Sequence, residues 1–257
     1  MTSEHHHPFI DLYADTETSD KPLVVFIHGG AWRSESKDIF QSFALHILDE
    51  VRLPVAVLDY RLSTKHNNLK HPGHAEDVLD ELEKLVEWPT PLFDRSRLYL
   101  VGHSAGAHIL SSIFLDSEVD TLQPSDALLY AVQGILVASG IFDPETLLDR
   151  FPNYDFIPQV FTGPYSRWNT LNYTIRSNMP PSFTRWHVVH SSGDTLVNVE
   201  QSEAMFNHIH EAYAKENWDT GLISKDYDTL TIGHYYTTKA PFASLVGAWA
   251  MQDIQNR

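Results

Sequence analysis

Apolar positions along this chain come in unbroken blocks separated by stretches with helical spacing. Leu23-Val24-Val25-Phe26-Ile27 is a continuous, β-branched apolar run that ends in His28-Gly29-Gly30, the pattern of a strand buried on both faces that opens into a loop. Residues 54–60 (PVAVLDY) repeat it, and residues 39–52 between the two carry apolar side chains at helical spacing. Strand, helix, strand predicts a parallel sheet. Further on, Asp77, Val78, Leu79, Leu82, Leu85 and Val86 predict an amphipathic helix over 75–86, and residues 97–101 the next strand. A helix follows over 107–115, then buried strands over 134–139 and 186–191. This alternation predicts the α/β class, a mostly parallel, doubly wound sheet with helices on both faces and its ligand site at the carboxyl ends of the strands.

Between Phe142 and Pro181 the alternation lapses into a stretch rich in aromatics and proline, including Phe151, Tyr154, Phe156, Phe161, Tyr165 and Trp168. It is too long for a plain connector. We therefore expect a single domain over residues 1–257, the size of one large α/β unit, with a lid or substrate-shaping insertion at about 142–181.

Charge narrows the partners. Eighteen Lys and Arg stand against 34 Asp and Glu, a net charge of −16, which repels phosphate backbones and anionic membrane surfaces. The expected partner is a small molecule, with no nucleic acid and no membrane. No apolar run reaches the length of a membrane helix, and residues 1–7 lack the basic and apolar regions of a signal peptide, so the expected location is cytoplasmic. The absence of cysteine removes disulfides, thiolate metal sites and a cysteine nucleophile together.

The candidate chemistry sits at strand ends. Gly102-His103-Ser104-Ala105-Gly106 matches G-x-S-x-G, a sharp strand-to-helix turn that pushes a serine hydroxyl out of the top of the sheet, preceded by a strand and followed by a helix as that motif requires. Serine is a weak nucleophile without a base, usually a histidine held in one tautomer by a carboxylate. In chain order the carboxylate and then the histidine follow the serine. Asp194, just past the strand ending at Ser191, and His234, in Thr231-Ile232-Gly233-His234, occupy those places. Asp143 is the rival carboxylate, and His190, His208 and His210 are read as core or surface residues. His28-Gly29-Gly30-Ala31-Trp32 follows a buried strand, where the HGGG-type loop of esterases lies. Gly30 and Ala31, with Ala105, are the expected N–H donors to an oxyanion. His5-His6-His7 and the pair His71 and His74 lack carboxylates at ligand spacing, so no metal and no cofactor is expected.

With these motifs on the page, the chain resembles the fungal kynurenine formamidases (arylformamidases), hydrolases of the α/β-hydrolase fold that cleave N-formyl-L-kynurenine to L-kynurenine and formate in tryptophan breakdown. The resemblance rests on the HGGxW pattern at 28–32, on Asp59-Tyr60-Arg61-Leu62-Ser63, on 102–106, and on the segment from Gly140-Ile141-Phe142 to Tyr154-Asp155. It implies Ser104 as nucleophile, Asp194 as acid and His234 as base, and it admits a homodimer. The loop Gly233-His234-Tyr235-Tyr236 departs from the family pattern, and the 194–234 spacing is long. Under this resemblance Trp32 is expected to close the small formyl side of the pocket, Tyr165 and Trp168 to hold the aromatic ring, and Arg61, Arg33 or Arg167 to meet the substrate carboxylate. The rival readings are a short-chain carboxylesterase with the same triad and a non-catalytic binding protein of the same fold.

Overall fold

In the computed structural model, which describes residues 3–89, 92–180 and 184–256, the apolar blocks become the centre of one eight-stranded sheet. Met1, Thr2, Pro181 and Arg257 lie outside the described residues, as do the side chains of His5 and His6. In chain order the strands are β1 (Ser3–His7), β2 (Ile10–Ala14), β3 (Pro22–Ile27), β4 (Val55–Leu58), β5 (Asp94–His103), β6 (Leu115–Asp116), β7 (Val132–Ala138), β8 (Thr174–Ile175), β9 (Arg185–Val189) and β10 (Ile223–Asp226). The sheet order is β1-β2-β4-β3-β5-β7-β9-β10, while β6 and β8 form a separate small ribbon. From β4 through β10 neighbours run parallel, and only the β1 and β2 edge is antiparallel.

The helices are α1 (Gln41–Val51), α2 (Gly73–Val86), α3 (Ala105–Phe114), α4 (Asp126–Ala131), α5 (Pro144–Arg150), α6 (Phe156–Val160), α7 (Val199–Lys215) and α8 (Ala240–Asn256). Successive strand residues point to opposite faces, so β3 feeds two cores. Val24 and Phe26 pack with Phe43, Ile47, Phe242 and Val246 under α1 and α8. Leu23, Val25 and Ile27 pack with Val78, Leu82, Ile109 and Ile113 under α2 and α3, and α7 adds Met205 and Ile209 to that side. Strands buried on both faces must be apolar throughout, which is why they read as unbroken runs.

The chain leaves β3 toward β4 and then crosses back to β5 on the other side of β3. The strand order therefore reverses at β3 and β5, and a crevice opens beyond their carboxyl ends. Ile27 is in register with Gly102, so the loop at His28 and the turn at Ser104 emerge side by side. Residues 142–180 are more ordered than their composition suggested: α5, α6 and two 3-10 turns, Tyr165–Trp168 and Thr170–Asn172, fold over that end of the sheet. Among the described residues no helix is long and apolar enough to cross a membrane.

Candidate active site

Ser104 stands between β5 and α3 with φ 53° and ψ −113°, a left-handed backbone that an L-residue adopts only when its surroundings enforce it. Two contacts do so. The Ser104 N–H donates to Ala138 O at 2.9 Å, and the flanking glycines leave no room for side chains. A methyl group on Gly102 would lie 2.6 Å from Gly106 O, and one on Gly106 would enter the Ile27 carbonyl. Gly106 thus lets α3 touch the end of β3, drawing the turn and the His28 loop together.

That loop has its own restraints. Gly30, Ala31 and Trp32 all take positive φ, at 79°, 52° and 57°, and the turn closes with Arg33 and Ser34 N–H both donating to Gly30 O at 3.0 Å. Tyr60 Oη donates to Gly29 O at 2.6 Å, and its ring stacks on His28 at 4.5 Å. His28 Nε2 lies 3.2 Å from Asp59 Oδ1. Asp59 and Tyr60, at the end of β4, thus fix the loop from behind. Ala105 opens α3, where first-turn N–H groups have no intrahelical acceptor. Ser104, Gly30 and Ala31 all line one cavity of about 240 Å³.

His234 enters the same cavity. Its Nδ1 lies 2.6 Å from Asp194 Oδ2, while Asp194 Oδ1 accepts the N–H groups of Leu196 and Val197 at 2.9 and 3.0 Å. Burial opposes ionisation of Asp194, but the His234 hydrogen bond and charge with the two backbone donors outweigh it and hold the carboxyl at about 2. Asp194 is therefore a carboxylate at neutral pH. The 40 residues separating the pair are spanned by α7 and β10, and their loops are clasped by backbone. Ser192 N–H donates to Leu230 O at 2.8 Å, Ser191 Oγ donates to Ile232 O, and Gly193 packs so closely on Thr231 O that a Cβ has no space. Beside the nucleophile, the His103 ring lies 4.6 Å from the His234 ring. Burial first, then the neighbouring His234, keeps it well below the usual histidine range and so uncharged.

The structure thus brings Ser104, Asp194, His234, Gly30, Ala31 and Ala105 to one end of the sheet. Asp143 is elsewhere employed: it caps α5, accepting from Glu145 N at 3.0 Å and Thr146 N at 3.2 Å. Trp32, Tyr165 and Trp168 do not line the cavity. Trp32 is fully buried, edge-on to His108 at 5.2 Å and to Phe161 at 4.9 Å, and Trp168 packs on His71 at 5.0 Å. Tyr165 is half-buried against that same core. The large aromatics turn inward because the insertion needs a core of its own. The cavity is instead walled by Arg33, Asn153, Tyr154, Asp155, Phe156 and Tyr235, together with Ile141, Leu196 and Val197. Arg33 was among the arginines considered for the substrate carboxylate, and Tyr154 and Phe156 among the aromatics of the insertion, whereas Asn153, Leu196 and Val197 had no signal in sequence. Of the other arginines, Arg61 is forked onto Asp77, Nε to Oδ2 at 2.8 Å and Nη2 to Oδ1 at 2.7 Å, and Arg167 lies over Trp168 at 5.0 Å. Among the described residues no group of three or more His, Cys, Asp or Glu could hold a metal ion.

Comparison with known proteins bears on the family and the fold. The BD-FAE family model matches residues 10–149. A kynurenine formamidase of Scheffersomyces stipitis is 25% identical over 243 residues, covering 82% of this chain and 86% of its own. One of Meyerozyma guilliermondii is 29% identical, covering 71% and 69%. The solved esterase B of Lactobacillus rhamnosis superposes with a TM-score of 0.72 over 96% of this chain and 81% of its own, at 14% identity, a likeness of fold.

Proposed function

This chain belongs to the BD-FAE family, and from that premise we propose that it is a serine hydrolase of the α/β-hydrolase fold that cleaves the formamide of N-formyl-L-kynurenine to L-kynurenine and formate. The observation that carries the reading is the Asp194–His234 pair at 2.6 Å, whose histidine lines the same cavity as Ser104 on its positive-φ turn. The similarity to formamidases of two yeasts supports the choice of substrate.

In this reading Ser104 Oγ attacks the formyl carbon as its proton passes to His234. Asp194, ionised, receives the other ring N–H and stabilises the imidazolium. The carbonyl oxygen becomes an oxyanion and is met by N–H groups of Gly30, Ala31 and Ala105, a contribution of about 3 kcal/mol for each donor in comparable sites. When the tetrahedral intermediate collapses, His234 returns the proton to the departing aryl amine, leaving a formyl ester on Ser104. Water, activated by His234, then releases formate. The insertion at about 142–181 supplies Asn153, Tyr154, Asp155 and Phe156 to the cavity wall and so shapes the space for the aryl amine. The same reading places the enzyme in the cytoplasm, acting alone on a small molecule or as a homodimer.

The test is kcat/KM for N-formyl-L-kynurenine beside p-nitrophenyl acetate, with Ser104→Ala as blank. The formamidase reading expects a formamide value of about 10⁴ M⁻¹s⁻¹ or more, well above that for the ester. The reverse ranking would move the protein to the short-chain carboxylesterases, and a folded protein inert to both substrates and to a fluorophosphonate probe would make it a binding protein.

A further inference from the structure

The cavity wall carries one fixed positive charge and one carboxylate, Arg33 and Asp155. They belong to different parts of the fold. Arg33 directly follows the loop that presents Gly30 and Ala31, and Asp155 immediately precedes α6 in the insertion. Across the cavity mouth Arg33 Nη1 donates to Asp155 Oδ1 at 2.8 Å, with Gln159 Oε1 a weaker second acceptor at 3.4 Å. The guanidinium is set 5.6 Å from the Phe156 ring centroid, which limits where its fork can point.

Two features make this pair a receptor for ligand. Its side chains are exposed, 37% for Arg33 and 80% for Asp155, and exposed ion pairs add little to stability, so exchanging partners costs the fold little. Arg33 also engages Asp155 through a single nitrogen of its fork, whereas a carboxylate can take two parallel N–H bonds. A ligand bearing both a carboxylate and an ammonium on one carbon satisfies both members at once: its carboxylate takes the Arg33 fork and its ammonium takes Asp155. A neutral anilide offers neither group.

Resting on the formamidase reading, we propose that Arg33 and Asp155 form a zwitterion clamp that selects N-formyl aryl amines carrying a free α-amino-acid head. The clamp binds the head group and leaves the chemistry at Ser104 untouched, so its effect falls mainly on KM.

The test compares N-formyl-L-kynurenine with formanilide, which has the formylated aryl amine and no head group. The ratio of their kcat/KM values is measured for wild type, Arg33→Gln, Arg33→Lys and Asp155→Asn, with p-nitrophenyl acetate hydrolysis and the melting temperature reporting the fold. Arg33→Gln is expected to lower the ratio by about ten- to a hundredfold, chiefly through KM for the zwitterion. Arg33→Lys should recover part of it, and Asp155→Asn should lower it less than Arg33→Gln. A ratio unchanged within about twofold in Arg33→Gln overturns the clamp while formanilide turnover keeps the formamidase reading intact. Should wild type cleave the ester but neither formamide, the formamidase reading itself falls and takes the clamp with it.

Discussion

Asp194 does more than balance charge. With one oxygen on His234 Nδ1 and the other on two backbone N–H groups, it fixes which imidazole nitrogen keeps its proton and so which one faces the cavity. Asp194→Asn keeps the shape but offers an amide that can favour the wrong tautomer, and kcat should fall by about 10⁴-fold with KM little changed. Steady-state kinetics with a melting curve would check this; a fall below tenfold in a folded variant would remove Asp194 from the role. Sequence pointed to Asp194 through chain order, a carboxylate just past a late strand and before the histidine. Trp32 was legible as a motif residue and misleading as a contact, since the HGGxW pattern says nothing about which way the ring turns. It turns into the core.

At the scale of elements, Trp32→Ala should behave as a core truncation, costing about 3–5 kcal/mol in urea-unfolding free energy. A variant that kept wild-type stability and changed only KM would return the ring to the substrate pocket. The central strands β3, β4, β5, β7 and β9 were readable because double burial writes an unbroken apolar run, and the helices α1, α2 and α3 because one-sided burial writes a helical period. The edges were not. β10, Ile-Ser-Lys-Asp, and β1, Ser-Glu-His-His-His, each pair on one side only, and in β10 Ser224 and Lys225 are exposed while Ile223 is buried, so no unbroken apolar run marks the strand. The two helices of the insertion were hidden for a different reason: α5 and α6 span seven and five residues, too few for a helical period to repeat.

For the whole molecule, the histidine content has a consequence for acid stability. His71, His74 and His108 lie together beneath the Trp32 loop, with ring centroids of His71 and His108 4.9 Å apart. Burial holds His74 at about 3 and His108 at about 4, and burial with repulsion from its two neighbours keeps His71 well below the usual range. All three are neutral in the fold, whereas in the unfolded chain they charge below about 6.5. Above that pH they do not affect folding. Between 6.5 and about 4 the unfolded state binds more protons, so stability falls as pH falls, each histidine contributing at most about 1.4 kcal/mol per pH unit. Urea midpoints should therefore decline from pH 7 to pH 5, less steeply in His108→Gln, and a flat profile would contradict the neutral cluster. Finally, the backbone clasp between the loops at 191–194 and 230–232 separates catalytic geometry from chain length. What fixes Asp194 against His234 is the clasp, and the residues that run out through α7 and back through β10 are a detour whose extent the active site does not sense. The long spacing that looked irregular in sequence is thus the length of α7, β10 and their connections, and not a distance that the pair itself requires.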